Sequence, residues 1–290
     1  MAIHIVTDSG ADIPIELVNS LRITVVPLTL SFGEQTYLDG VDLSPDDFYT
    51  KLIDEGIMPT TSQPPVGHFI EVYKKLKGSS DQILSIHLSA KLSATLNSAT
   101  QAANEEQLGD AIKIIDSKQA SIALGFAVIA AAEAVARGAS LEEAASIAES
   151  TSNRTNTFIL FDTLEYLVKG GRIGRANALI GSVLQIKPIL TLDDGEIATK
   201  LKIRTFRKGI QSLQILAEEC GDLERAAVLY TTDSTEVSGL ANRISNNVIT
   251  KSQPLVVRLS PAVGTHGGPG VIGVVCVKAK SSDAEFDRKV

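Results

Sequence analysis

In the first half of this chain short apolar runs alternate with helix-like segments, and that alternation restricts the fold more than any other feature. IHIVTD (3–8) and ITVVPLTL (23–30) read as buried strands, with PIELVNSL (14–21) as a helix between them. Ser44 is an N-cap ahead of PDDFYTKLIDEG, a helix expected to close on Gly56. VGHFIEVYKKL (66–76) has the spacing of a second amphipathic helix. QILSIHLS (82–89) and AIKIIDS (111–117) are further strands, separated by a helical segment at 92–108. Residues 118–137 read as a long Ala-rich helix, and SLEE at 140–143 is a capping box that opens another. Strands alternating with helices imply a mainly parallel sheet covered by helices.

From Thr155 the pattern changes. TFILF is a strand, and TLEYLVKGGRIG is a short helix broken by glycines. KPILTL and IATKLKI read as a hairpin turning at Asp194-Gly195. A helix at 206–220, a strand AAVLYTTD, a helix near 235–248 and the strands PLVVRLS and VIGVVCVKA complete the chain. The expected fold class is therefore α/β in two domains: a mostly parallel α/β domain over 1–153 and an α+β domain over 154–290.

Composition narrows the function. Apolar residues make up 44% of the 290 positions, ample for a core, and the longest apolar run, IALGFAVIAAA (122–132), is too short to span a bilayer. A net charge of −7 and a pI near 5.2 do not suit nucleic acid or an anionic membrane as the main partner. Tryptophan is absent and aromatics are 4%, which disfavours base-stacking platforms. Cys220 and Cys276 lie far apart without metal-ligand spacing, and the N-terminus has no signal-peptide pattern. The expectation is a reduced, cytoplasmic protein without a transmembrane segment.

GGPGVIG (267–273) spells the dinucleotide fingerprint G-x-G-x-x-G. That fingerprint needs a helix after its glycines, whereas VIGVVCVKA is β-branched and continuous. The glycines instead read as a flexible turn between strands that holds His266 in a Gly/Pro loop. No P-loop, no G-x-S-x-G elbow and no H-x-x-x-H pair occurs. Neither a metal nor a cofactor is expected. His4 and His87 fall in strands and His68 in a helix, and all three read as packed or surface histidines.

Three hydroxyl-rich loops follow strands or precede helices. In TDSGAD (7–12), Asp8 and Asp12 read as turn and cap residues. In PTTSQPP (59–65), Thr61 and Ser62 either cap the following helix or bind a ligand. HLSAKLSATLNSA (87–99) carries Ser89, Ser93 and Thr95 into a helix start, where hydroxyls and free N–H groups suit an anion. Ligands gather at the carboxyl ends of parallel strands, so these loops can share one site. Arg172 sits beside a glycine pair in LVKGGRIG, and KIRTFRK (202–208) clusters Lys202, Arg204, Arg207 and Lys208. Such a run is a solvated face or, in an acidic protein, a dock for an acidic partner.

Taken together, VTDSGADIP, PTTSQPP, LSAKLSATLNSA, IIDSKQASIALG, LEYLVKGGRIG, IKPILTLDDGEI and GTHGGPGVIGV resemble the DegV family, in its order, over about residues 3–279. Ala94 stands where that family usually has glycine. The resemblance implies a long-chain fatty acid, such as palmitate or oleate, bound in a tunnel between two domains. It also implies that the chain is the non-catalytic binding subunit of a bacterial fatty acid kinase, whose ATP-binding subunit makes an acyl-phosphate for phospholipid synthesis. Carried over residue by residue, Thr61 and Ser93 hold the carboxylate, with Ser62, Thr95 and His266 nearby, while Arg172, Arg204 and Arg207 face the kinase subunit. The alternatives are a stand-alone acyl hydrolase or transferase using Ser93 and His266, and a lipid-sensing regulatory protein.

Overall fold

The structure is a computed structural model that describes residues 2–78, 81–180, 186–232, 235–250 and 252–280. The chain divides into two compact units. The first comprises the chain up to Asn153 together with Ser260–Thr265; the second comprises Arg154–Leu259 and the chain from His266 onward. The return of residues 260–265 to the first unit has no counterpart in the sequence pattern.

In the first unit, β1 (Ile3–Asp8), α1 (Ile15–Ser20), β2 (Thr24–Val26), β3 (Thr29–Phe32), β4 (Gln35–Leu38), α2 (Pro45–Asp54), β5 (Thr60–Ser62), α3 (Val66–Leu76), β6 (Gln82–His87), α4 (Thr95–Glu105), β7 (Ile112–Asp116), α5 (Ile122–Ala136) and α6 (Leu141–Arg154) follow in order. Four strands make a sheet in the order β2-β1-β6-β7, every pair parallel. Successive residues of a strand face opposite sides, and both sides are apolar here. Ile5, Leu84 and Ile86 pack with Leu124, Ala127, Val128 and Ala144 of α5 and α6. Val6, Val26 and Ile83 pack on the other side with Phe69 and Tyr73 of α3 and Ala99 and Ala102 of α4. Helix α5 is buried almost throughout, as its Ala-rich sequence requires.

Two expectations change here. The run ITVVPLTL is two strands in different sheets: β2 joins the parallel sheet, whereas β3 pairs antiparallel with β4 and β5. Pro27 separates them, and proline has no N–H to continue a ladder. Thr60–Ser62, read from sequence as a loop ahead of a helix, is strand β5. The cap of α3 is Pro65, which makes no side-chain cap bond, so the capping alternative for Thr61 and Ser62 falls away.

The second unit contains β8 (Thr155–Leu160), α7 (Glu165–Lys169), β9 (Lys187–Asp193), β10 (Glu196–Ile203), α8 (Phe206–Glu218), β11 (Leu223–Tyr230), α9 (Thr235–Asn247), β12 (Leu255–Arg258), the end of α10 (Pro261–Gly267) and β13 (Ile272–Lys278). Its sheet runs β10-β9-β8-β13-β11-β12 and is antiparallel except for the β11–β12 pair. Asp194 (φ 50°) and Gly195 (φ 78°) turn the β9–β10 hairpin, as its sequence predicts. Leu213, Leu216, Leu240 and Ile244 of α8 and α9 cover Val228, Val274 and Cys276 on one face.

Candidate functional site

The carboxyl ends of the parallel strands support a set of loops tied to one another. Ser89 N–H donates to the Gln119 carbonyl, Ser117 N–H to that of His87, and Ser121 N–H to that of Gly10. Leu28 N–H donates to Ser9 Oγ. The sequence placed hydroxyls in these loops, and the fold spends several internally: Ser117 Oγ donates to the His87 carbonyl and Ser121 Oγ to Asp12 Oδ2.

Under the loops lies a buried polar line. Asp8, at the end of β1, accepts from Gly10 N–H at 3.0 Å, Leu88 N–H at 3.1 Å and His87 Nδ1 at 2.9 Å. With that nitrogen donating, His87 Nε2 accepts from Ser85 Oγ at 2.8 Å, and Ser85 Oγ lies 2.9 Å from the Tyr73 hydroxyl. Burial pushes the Tyr73 phenol well above its usual range, so it stays a neutral hydroxyl. Asp8, Ser85, His87 and Tyr73 are all 0% exposed, and this Ser–His–Asp arrangement is enclosed in the core with its polar atoms paired to one another. It fixes the ends of β1 and β6, from which the Ser93 loop departs. The packed-histidine reading of His87 therefore stands, but its partners were missed. The available signal was S-I-H in β6, since residues i and i+2 share a strand face.

Residues 88–94 then reach α4. Leu92 and Ser93 N–H groups donate to the Ser89 carbonyl, and Lys91 N–H donates to Ser89 Oγ. Ser93 Oγ accepts from Thr95 N–H at 3.3 Å and lies 2.9 Å from Thr95 Oγ1. Thr95 is fully buried and Ser93 half-buried. The N-cap of α4 is Ala94, which supplies no side-chain oxygen, so beyond Thr95, whose N–H is taken by Ser93 Oγ, the first turn has no side-chain cap and suits an anion.

Thr61 and Ser62 lie on β5, opposite Leu30 and Thr29 of β3. Directly opposed residues share a face, so Thr61 points to the side of fully buried Leu30 and Ser62 to the other. The two hydroxyls therefore diverge.

Two carboxylates, a half-buried Asp12 and a buried Asp39, hold the returning segment. Asp12 accepts from Ser121 Oγ at 2.5 Å and from Ser260 N–H at 3.1 Å; Asp39 accepts from Ala262 N–H at 3.1 Å. Burial raises Asp12 to about 7 and Asp39 to about 6, against hydrogen bonds that oppose the shift. Asp12 is thus more than a turn residue.

In the second unit, His266 lies in the last turn of α10 and not in a Gly/Pro loop. Burial first and the Arg172 guanidinium second lower its imidazole to about 4, so it is neutral at neutral pH. Arg172 Nη1 donates to the Gly170 carbonyl at 2.8 Å. A Cβ at Gly170 would collide with the His266 ring, and one at Gly268 (φ 70°) with the Tyr166 ring. The glycines of GGPGVIG are therefore set by close packing and a turn, and they lead into strand β13 as the sequence requires. Arg204 and Arg207 are exposed around the start of α8, whose cap is Thr205.

Among the described residues no three His, Cys, Asp or Glu side chains could hold a metal ion, and no helix is long and apolar enough to cross a membrane.

The profile of the family described as "Uncharacterised protein, DegV family" matches residues 2–279. The chain belongs to the DegV family. A DegV domain-containing protein of Caldanaerobacter subterraneus is 36% identical over 274 residues, 94% of this chain and 97% of that one. A DegV family protein from Thermus thermophilus, solved under the description of fatty acid binding, has a TM-score of 0.90 at 32% identity, covering 96% of this chain and all of its own. A fatty acid (stearic acid)-binding protein from Eubacterium ventriosum has a TM-score of 0.88 at 27% identity, covering 96% and 98%. These DegV chains share the mixed α/β architecture described above.

Proposed function

We propose that this DegV protein binds one long-chain fatty acid and presents its carboxylate to an ATP-dependent kinase partner, which forms the acyl-phosphate. The observation that carries the reading is the likeness to the fatty-acid-binding chain from Thermus thermophilus over 96% of this chain. The local chemistry supports it. A chain of about sixteen carbons gains roughly 10 kcal/mol from apolar burial before ordering costs, so affinity needs no charged clamp. The carboxylate still needs donors, because a buried unpaired anion is prohibitively costly. Ser93 and the N–H groups of α4 beyond Thr95 offer neutral donors, the fully buried Thr95 orients the Ser93 hydroxyl from behind, and Thr61 is the hydroxyl of β5 proposed for the same role. Ser62 faces away from Thr61 and serves the ligand less directly. His266, neutral beside Arg172, is the ligand-facing residue proposed in the second unit. Neutral donors leave a carboxylate oxygen nucleophilic toward ATP on the partner.

Arg204 and Arg207 are the proposed docking residues, together with Arg172. Arg207 and Lys208 occupy the first turn of α8, which has no acidic residue there, although a helix dipole favours anions at that end. Their placement is unfavourable for the helix and suited to an acidic partner surface. Ser93 Oγ bonds to Thr95 rather than to a histidine, which speaks against a hydrolase.

Lipid extraction from the purified protein is expected to yield one fatty acid per chain. Ser93→Ala and Thr61→Ala are each expected to weaken binding about tenfold, the loss of one hydrogen bond to a charged group. Arg204→Glu with Arg207→Glu should retain lipid yet stop acyl-phosphate formation with the kinase subunit and ATP. Unchanged binding and turnover in the hydroxyl variants would overturn the site.

A further inference from the structure

Cys220 and Cys276, 56 positions apart in sequence, come together in the second unit. Cys276 lies on β13 within the core face covered by α8, and Cys220 follows the end of α8 and packs against that same cluster. The chain after α8 runs beside the end of β13, with Leu223 paired to Lys278 and Ala279 N–H donating to the Asp222 carbonyl, which brings the two thiols near each other. Their surroundings are unequal. Cys276 is 0% exposed, whereas Cys220 is only half-buried and its thiol also donates to the Leu216 carbonyl at 3.3 Å. Lys278 shares the strand face of Cys276 by the period of two, and Lys200 of β10 holds its ammonium 5.6 Å from the Phe158 ring centroid of the same core. Both lysines are exposed and act on the Cys220 sulfur.

We propose that Cys220 and Cys276 are a redox pair, in which a hydroperoxide oxidises Cys220 and Cys276 resolves it to an intramolecular disulfide. The chemistry balances without a cofactor. The Cys220 thiolate attacks the outer oxygen of the hydroperoxide, the O–O bond breaks, and the departing alkoxide takes a proton to become an alcohol, or water if the oxidant is hydrogen peroxide. The Cys276 sulfur then attacks the Cys220 sulfenic sulfur and expels hydroxide, which takes the Cys276 proton and leaves as water. Two thiols lose two electrons and the hydroperoxide gains them.

The inequality of the pair assigns these roles. The neighbouring Cys276 thiol lowers the Cys220 thiol, and Lys278 and Lys200 lower it further against the opposing Glu219. The same pairing, with burial, raises Cys276. The thiolate is the reactive form, so oxidation starts at the accessible sulfur and the protonated one waits beside it. In a reducing compartment the pair stays as dithiol.

The test treats the purified full chain with hydrogen peroxide and reads intact mass, non-reducing peptide maps and iodoacetamide labelling. The expected result is a loss of two hydrogen atoms, a linked peptide pair containing Cys220 and Cys276, loss of Cys220 labelling, and full recovery with dithiothreitol. In Cys276→Val, which fills the strand site with an apolar residue of similar size, Cys220 should stop at a sulfenic acid trapped by dimedone. Cys220→Ser should leave Cys276 unoxidised. Oxidation of Cys220 to sulfinic acid in the wild type without a linked peptide, or equal peroxide resistance of both thiols, would overturn the proposal.

Discussion

Asp39 is buried and Asp12 and His266 are half-buried, and loss of solvent shifts the proton affinity of all three. Asp12 moves from its ordinary 3.8 to about 7 and therefore binds a proton more tightly folded than unfolded. The stability it contributes is present below its unfolded value and is lost as pH rises through 7. Asp39, raised to about 6, has the same sign. Asp12→Asn keeps an acceptor for Ser260 N–H and removes the charge, so its unfolding midpoint relative to wild type should climb from about pH 4 to about pH 7 and level off above that. His266 has the opposite slope. Lowered from 6.5 to about 4, it binds fewer protons folded than unfolded, so stability falls as pH drops through that window. Denaturant titrations should show this acid-side loss flattened in His266→Gln. In Arg172→Ala the His266 titration followed by NMR should move upward, because a neighbouring positive charge is gone.

At the scale of elements, the turn after α10 is held by the contact between Gly268 and the Tyr166 ring of α7. Gly268→Ala adds a Cβ at φ 70° and drives it into that ring, so urea unfolding should show a loss of about 2 kcal/mol or more. Tyr166→Ala in the same chain removes the collision but not the backbone strain, and should leave about 1 kcal/mol of the glycine effect in place. The capping box behaves as its sequence predicts: Glu143 accepts from Ser140 N–H at 2.8 Å while Ser140 Oγ accepts from Glu143 N–H at 3.3 Å.

For the whole molecule, the proposed fatty acid acts through mass action. A ligand that binds only the folded chain adds about 2.7 kcal/mol at a free concentration near one hundred times its dissociation constant. Delipidated protein should therefore unfold at a lower temperature than protein as purified, and adding back a long-chain fatty acid should restore the midpoint. A midpoint indifferent to lipid would count against the binding reading.

Much of this was written in local pattern. Apolar runs between helices announced a parallel sheet, Asp194-Gly195 announced a hairpin, and the β-branched run after GGPGVIG ruled out a nucleotide cradle. The hydroxyls of Ser93 and Thr95 were visible at a helix start for the same reason: caps and turns involve near neighbours. What local pattern could not contain is which distant residues meet. Asp8 and His87 are 79 positions apart, and Asp39 and Ala262 are 223 apart. Those pairs exist only because sheet order places β1 beside β6 and brings residues 260–265 back to the first unit. The division of ITVVPLTL between two sheets, the opposed faces of Thr61 and Ser62, and the meeting of Cys220 with Cys276 have the same origin. Periodicity fixes which face a residue takes within its element, and tertiary packing alone decides what that face meets.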